Sequence, residues 1–299
     1  MTNVNLVSVV INCFNGEKFL NQSVKSVLNQ SYTNWELIFW DNCSTDNTKL
    51  EFNKISDHRF RYYLSTEHTS QYEARNQAAV KCKGEFIAFL DVDDWWSKTK
   101  LERQISLFED NEIGFSSTNA WIINERRNNR KSIAFKNIPN GNVLNNLLKK
   151  DFVTMSSLMI RKSIYNLLDS GFNPKYEIIG DFDLVLRLAQ ISKFKSIQEP
   201  LVYYRQHQNN LTFVKIEKNI RELIELFNDN ENNLKINKSK NFYLFKNNII
   251  FSHALMLTLE SKRLLAFKKI LEVTNIRHFL KFLLIFILPK GIIRKIRSR

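Results

Sequence analysis

The chain's 299 residues, 43% hydrophobic and 25% charged, exclude a disordered or low-complexity protein and suffice for one large domain or two smaller ones. The formal net charge of +14 points toward nucleic acid. However, eleven Lys or Arg against the single acid Glu272 fall between Lys262 and Arg299, so +10 belongs to that tail and +4 to residues 1–261. A basic excess confined to a short apolar tail, without interleaved RNA-binding motifs, argues against a nucleic-acid partner.

In chain order, LVSVVI (6–11) reads as a strand, and GEKFLNQSVKSVLNQS (16–31) as a helix with Phe19, Leu20, Val24, Val27 and Leu28 at helical spacing. WELIFW (35–40) is the next strand, followed by the turn-rich DNCSTDNT (41–48), for which Ser44 or Thr45 is the expected helix cap. FRYYL (60–64) is a third strand, SQYEARNQAAVKC (70–82) a second helix and EFIAFL (85–90) a fourth strand. Strands alternating with helices predict an α/β sheet, mainly parallel and Rossmann-like, with helices on both faces and ligands beyond the carboxyl ends of the strands. Cys13, Cys43 and Cys82 are odd in number and lack CxxC spacing, which favours neither a disulfide framework nor a zinc site and fits a reducing cytoplasm. The first residues, MTNVNLVSVVINCFN, do not read as a secretory signal peptide.

The fourth strand runs into Asp91, Val92, Asp93 and Asp94. One carboxylate is enough to cap the helix expected over KTKLERQISLFE (98–109), and Asp94 or Ser97 is placed to do it. Three within four residues repel one another unless a cation neutralises them, and hard divalent ions prefer such oxygen ligands.

The succession VSVVINCFNGEKFLNQSVKSVLNQSYTNWELIFWDNCSTDNT, EARNQAA, GEFIAFLDVDDWW and GDFDLVLRLA resembles the motifs of family 2 glycosyltransferases with the GT-A fold, in the same order over about residues 5–210. The resemblance implies a DxD that holds Mn²⁺ or Mg²⁺ on a nucleotide-sugar diphosphate. Asp93 is then a metal ligand, Asp91 lies near the ribose or the metal, and Asp94 ranks lower. It also implies a nucleotide pocket from Asn12, Phe14, Asn15, Asp41 and Asn42 together with Asp91 and Val92, UDP being the favoured nucleotide because an Asn amide oxygen can accept from uracil N3. Arg75 either contacts the nucleotide or is a helix-surface cation, and Trp95 and Trp96 are either packing or a sugar platform.

In GDFDLVLRLA the resemblance makes Asp181 the general base, with Asp183 capping the helix or pairing with Arg187 at i+4. His207 in YYRQHQNNLT either approaches the metal or diphosphate or is structural. The implied reaction is a single inverting transfer to a hydroxyl of a glycan or lipid-linked acceptor in cell-surface polysaccharide or lipopolysaccharide synthesis. QxxRW, the mark of processive synthases in that family, is missing, which favours single addition. A catalytically silent nucleotide-sugar or glycan-binding module is the alternative, disfavoured by the carboxylates.

The expected division is a catalytic domain over 1–212, with a nucleotide-sugar half to about 110 and an acceptor half from about 111, then a helical region over 213–299 with an Asn-rich hinge near 228–241. The apolar run from Phe279 to Leu288 is half of the ~20 residues that span a bilayer. It reads either as an element lying in an anionic membrane surface, placing the protein peripherally on the inner face of the cell membrane, or as a packed helix with a solvated basic end.

Overall fold

The structure, a computed structural model, describes residues 5–125, 130–208, 210, 215–289 and 291–293. Lys290 and residues 294–299 of the basic tail, and Asn209, Leu211 and Thr212 of YYRQHQNNLT, lie outside them. The chain divides into two compact units, residues 1–143 with 152–207 and residues 144–151 with 208–299. Residues 144–151, in the middle of the acceptor half expected from sequence, belong to the second, helical unit.

In the first unit, β1 (Val7–Cys13), β2 (Trp35–Asp41), β3 (Phe60–Leu64) and β4 (Phe86–Phe89) are parallel in the order β3-β2-β1-β4. β1, β2 and β4 are almost wholly buried, which explains their continuous apolar runs in place of alternation. Between them run α1 (Glu17–Leu28), burying Leu20, Val24 and Val27, the short α2 (Thr48–Asn53), and α3 (Gln71–Val80), capped by Ser70 Oγ on Glu73 N–H. The chain walks outward from β1 to β3 and returns to β4 on the other side of β1, so the order reverses between β1 and β4, and the crevice beyond that point is where such sheets bind ligands.

Beyond β4 the sheet becomes mixed. After β5 (Trp95–Trp96) and α4 (Lys100–Ile105) come the long β6 (Ile113–Asn124), β7 (Arg130–Ile133), α5 (Leu144–Lys149) of the second unit, β8 (Met159–Arg161) and α6 (Lys162–Tyr165). α7 (Gly180–Ile191) and β9 (Lys193–Gln206) complete the first unit. β8 pairs antiparallel with both β4 and β6, β9 runs parallel to β6, and β5 closes the edge antiparallel to β9.

Two caps differ from the sequence reading. Ser44 and Thr45 do not cap α2: Asp46 Oδ1 accepts from Thr48 N–H at 3.0 Å, while Ser44 Oγ accepts from Asn15 N–H at 2.9 Å. Neither Asp94 nor Ser97 caps α4 with its side chain; Gln30 Oε1, contributed by the end of α1, accepts from Leu101 N–H at 2.9 Å. A residue 71 positions away in the chain does what local spacing assigns to a neighbour.

The second unit adds α8 (Ile216–Asn230), α9 (Leu234–Asn237), α10 (Phe242–Leu259), α11 (Arg263–Ile270) and α12 (Ile276–Phe286). The expected hinge therefore contains a helical turn, capped by Asn233. Ala254, Ala266, Ile270 and Phe282 form a core of this unit. Among the described residues no helix is long and apolar enough to cross a membrane.

Lys100 is fully buried, its Nζ 3.8 Å from the Trp96 ring centroid and without a hydrogen-bond partner among the described residues. Burial holds its pKa well below the ordinary 10.5. The unfolded chain keeps that proton up to the ordinary value while the folded chain sheds it earlier, so stability rises with pH across that window. Lys100→Met keeps the bulk and removes the charge. It should stabilise the fold by about 1–3 kcal/mol near neutral pH, and by less near pH ~10, in thermal unfolding at both.

Candidate active site

At the carboxyl end of β4, oxygens of Asp91, Asp93 and Asp94 all lie within 4.8 Å of one another. Their partners give them different jobs. Asp94 is 2% exposed and both its oxygens are engaged, Oδ2 accepting from Ser156 Oγ (2.5 Å) and Oδ1 from Arg205 N–H (2.8 Å). Burial, then Asp93 and Asp91, push its pKa well above the ordinary carboxylate value. Asp91 is more open, with Oδ1 accepting from Arg75 Nη2 at 2.5 Å; burial raises its pKa, Arg75 opposes this, and Asp93 adds to it. Asp93 Oδ2 lies 2.9 Å from His207 Nε2, and its backbone carbonyl accepts from Arg205 Nε at 2.8 Å. The His207 ring stacks on Phe19 with centroids 5.1 Å apart. Asp91 and Asp93 offer the oxygen ligands that a hard divalent cation prefers, with His207 against Asp93 and Asp94 behind as a brace.

Arg75 is buried at 6% exposure, not a helix-surface cation. Burial alone would depress its pKa, but Asp91, Tyr72 and Asp181 pull it upward. Asp181, in the first turn of α7, accepts from Phe182 N–H (2.9 Å) and from the Tyr72 hydroxyl (3.3 Å), which also donates to the Ile178 carbonyl (2.9 Å). Burial raises the Asp181 pKa and Asp91 adds to it; Arg75 and the two donors hold it back. Asp183 is buried and paired with Arg187, Nε and Nη2 at 2.9 and 2.7 Å from the same oxygen, as the i+4 spacing predicts. Gly180 admits this geometry because a Cβ there would come within 2.6 Å of the Tyr72 ring.

The structure also brings in residues that the sequence reading missed. Tyr204 has its hydroxyl pKa raised by burial and then by the charges of Asp94, Asp93, Asp91 and Asp181. The strand period of two held the signal, since in YYRQHQ it sends Tyr203 and Arg205 to one face and Tyr204 to the other. Tyr72 lies three residues before Arg75 on α3, one turn away on the same face. Ser156 carries no local signal.

At the ends of β1 and β2 the predicted pocket residues separate into two layers. Asp41 is 1% exposed and accepts from Ser44 N–H (2.7 Å) and the Tyr62 hydroxyl (2.5 Å). Asn42 is 2% exposed; its Nδ2 donates to the Thr69 carbonyl (2.8 Å) and its Oδ1 accepts from Thr69 N–H and Oγ1. Both therefore support the loops beneath the rim, and the Asn42 amide is not presented to a base. Asn12 donates to the Gln71 carbonyl (3.3 Å), while its buried Oδ1 has no partner among the described residues. Asn15, at φ 54°, accepts from Thr45 N–H at 2.8 Å and ties the two rim loops together. Phe14 is exposed, its ring 4.1 Å from that of His68. Val92 packs toward Gly16, where a Cβ would lie 2.4 Å from Cys13 Sγ and 3.0 Å from Val92 Cγ2. Trp96 is buried and donates through Nε1 to the Ser156 carbonyl (2.7 Å); Trp95 stacks on Tyr203 with centroids 5.0 Å apart.

The family model "Glycosyl transferase family 2" matches residues 8–171. The chain belongs to that family. Among family 2 relatives, the Escherichia coli UDP-Glc:alpha-D-GlcNAc-diphosphoundecaprenol beta-1,3-glucosyltransferase WfgD is 32% identical over 215 residues, covering 71% of this chain and 82% of the relative. The Bacillus subtilis putative teichuronic acid biosynthesis glycosyltransferase TuaG is 28% identical, covering 70% and 91%. The mannosyltransferase PcManGT of Pyrobaculum calidifontis, solved with GDP-Man and Mn²⁺, superposes with a TM-score of 0.63 at 16% identity over 87% of this chain and 74% of that one. TarS of S. aureus (residues 1–349) gives 0.58 at 13% identity over 88% and 87%. The fold is GT-A.

The adjacent carboxylates Asp93 and Asp94 separate by experiment. Asp94→Ala strands the Ser156 hydroxyl and the Arg205 N–H, and should cost about 2–4 kcal/mol in denaturant unfolding. Asp93→Ala, at a more open site, should leave the unfolding midpoint nearly unchanged. Equal midpoints for the two variants would contradict the bracing role of Asp94.

Proposed function

We propose that this enzyme moves one sugar from a UDP-sugar to a hydroxyl of a diphosphate-lipid-linked sugar, with inversion at the anomeric carbon, in cell-surface glycan synthesis. The observation that carries the reading is the placing of Asp91 and Asp181 about buried Arg75, with Asp93 beside Asp91, at the strand-order reversal. The acceptor class is supported by the name of the WfgD relative, and UDP by that name and by TarS solved with UDP and with UDP-GlcNAc.

In this reading the nucleoside diphosphate lies along the carboxyl ends of β1 and β4, with Phe14 and His68 walling the base and Asp41, Asn42 and Asn15 holding the rim loops. Asp93, with Asp91 beside it and His207 against it, would hold Mn²⁺ or Mg²⁺. When bound there, the ion offsets the negative charge that develops on the departing diphosphate. Arg75 fixes the Asp91 carboxylate and tempers the basicity of Asp181. Asp181 accepts the proton of the acceptor hydroxyl as that oxygen attacks the anomeric carbon from the face opposite the nucleotide; the C–O bond forms as the bond to the diphosphate breaks, without a covalent sugar–enzyme stage. The raised pKa of Asp181 makes it a better base than an ordinary aspartate.

Calorimetry with UDP and Mn²⁺ should show metal-dependent binding lost in Asp93→Ala and kept in Asp181→Asn. Turnover of Asp181→Asn should fall by ~10²–10⁴-fold. Wild-type kcat should decline toward acid with an inflection above the ordinary aspartate value of about 3.9, since the base must be unprotonated. Undiminished UDP affinity in Asp93→Ala, or near-normal turnover in Asp181→Asn, would remove the respective role.

We further propose peripheral membrane contact through α12. Ile276, Leu280, Leu284 and Ile287 recur at helical spacing and are all more than half exposed, with Arg277 and Lys281 among them, while Phe282 on another face is fully buried. The helix is thus both a core element and an amphipathic surface, so deleting it would damage its unit. Leu280→Glu with Leu284→Glu should release the protein from anionic vesicles in co-sedimentation while turnover on a water-soluble acceptor persists. Unchanged sedimentation would exclude this face.

A further inference from the structure

Beside the carboxylate cluster, but not part of it, the first unit holds an open cavity of about 780 Å³ between the outer face of α1 and the edge strand β5. Lys18, Lys25 and Lys98 line it together with the amides of Asn21 and Gln22 and the Trp95 ring, and no carboxylate contributes to the lining. All three lysines are exposed, and none has an ion pair among the described residues. Glu17 and Glu102, the acids near them in sequence, accept from Asn47 N–H (2.9 Å) and Ser31 Oγ (2.5 Å) and make no ion pair with these lysines among the described residues.

The helix accounts for Lys25, which lies in its last turn where the dipole favours positive charge, but not for Lys18. Lys18 sits in the first turn of α1, where the helix dipole disfavours positive charge, so its place on that face costs the helix stability. Lys18, Gln22, Lys25 and Asn29 follow one another at three- and four-residue steps along a single face. The groove floor is fixed, because Trp96 N–H donates to Ser26 Oγ at 3.1 Å and Ser97 N–H to the Leu201 carbonyl at 2.8 Å. A cleft lined by one sign of charge concentrates ligands of the opposite sign.

The groove is joined to the metal-binding carboxylates through one side chain. Arg205 donates Nη2 to Gln22 Oε1 (2.5 Å), lies 4.6 Å over the Trp95 ring and donates Nε to the Asp93 carbonyl (2.8 Å). A ligand group seated in the groove is therefore one side chain away from the backbone of Asp93, at the border of the proposed metal site.

We propose that this groove binds the diphosphate of the lipid-linked acceptor, with Lys18, Lys25 and Lys98 as its cationic contacts and Trp95 as an apolar wall. The proposal deepens the acceptor reading given above and rests on it. Lysine ammonium groups pair with phosphate oxygens as point charges, and three of them match a diphosphate better than a neutral sugar. The lysines are specificity determinants and take no part in the bond exchange, which stays with Asp181 and the leaving diphosphate of the donor.

The test is the double variant Lys25→Glu with Lys98→Glu, both at exposed positions, compared with wild type on two acceptors bearing the same sugar, one a polyprenyl diphosphate and the other a neutral alkyl glycoside. KM for the diphosphate acceptor should rise by at least ~10-fold, as expected for loss of charge-assisted contacts. KM and kcat for the glycoside, and UDP affinity by calorimetry, should stay unchanged. An equal rise for both acceptors, or no rise, overturns the proposal. A parallel loss of sedimentation with phosphatidylglycerol vesicles would assign the lysines to membrane headgroups instead and also overturns it. If wild type transfers sugar to neither acceptor, the acceptor reading itself falls. Calorimetry with inorganic pyrophosphate in saturating UDP then decides the groove: binding that the double variant loses supports a diphosphate site, and absence of wild-type binding excludes it.

Discussion

Three carboxylates packed within 4.8 Å at the end of a buried strand repel one another, and the surrounding structure is arranged to hold them together. Each is answered differently. A buried guanidinium meets Asp91, a hydroxyl and a backbone N–H meet Asp94, and an imidazole meets Asp93. Burial first, and then the neighbouring carboxylates, raise the pKa values of Asp91 and Asp94, and a divalent ion on the proposed Asp93 site would relieve the repulsion. Arg75 is central because its charge is felt at both Asp91 and Asp181, linking the proposed donor and acceptor ends of the reaction through one side chain.

That arrangement depends on the mixed sheet. A wholly parallel sheet presents its strand ends in one row, with helices carrying the chain away from them. Here β8 turns back antiparallel beside β4, and the turn before it supplies Ser156 to Asp91 and Asp94, while β9 supplies Tyr204 and Arg205. The second half of the sheet thus closes around the carboxylates from the side opposite β1. The polar contacts are mostly between charged and neutral groups, which in a low-dielectric setting are stronger than exposed pairs.

Arg205 shows how few residues tie separate functions together. Its backbone meets Asp94, its Nε the Asp93 carbonyl, and its outer nitrogens Glu125 and Gln22. The same residue therefore shapes the proposed metal site and borders the basic groove. The helical unit has its own core around Phe282 and an exposed apolar stripe on α12.

Local sequence determined the parallel half of the fold and the chemistry at its strand ends. Val7–Cys13 and Trp35–Asp41 are strands because their apolar runs are too short and too β-branched or aromatic for helices, and DVDD and GDFD announce carboxylates because no core tolerates that charge unpaired. The i+4 pairing of Asp183 with Arg187 was legible for the same reason, being set by helix geometry alone. What only the tertiary structure decided is which carboxylate braces and which reaches outward. Asp94 lies beside Asp93 in the chain, yet its role comes from Ser156 and Arg205, 62 and 111 residues away. Likewise Asp41 and Asn42 read as base contacts until Tyr62 and Thr69 are seen to claim them, and Gln30 caps a helix that its own segment never meets in sequence. Periodicity and turn chemistry act over a few residues and are written locally. Burial and hydrogen-bond partnership depend on chain segments meeting through packing, and no local pattern records which ones will meet.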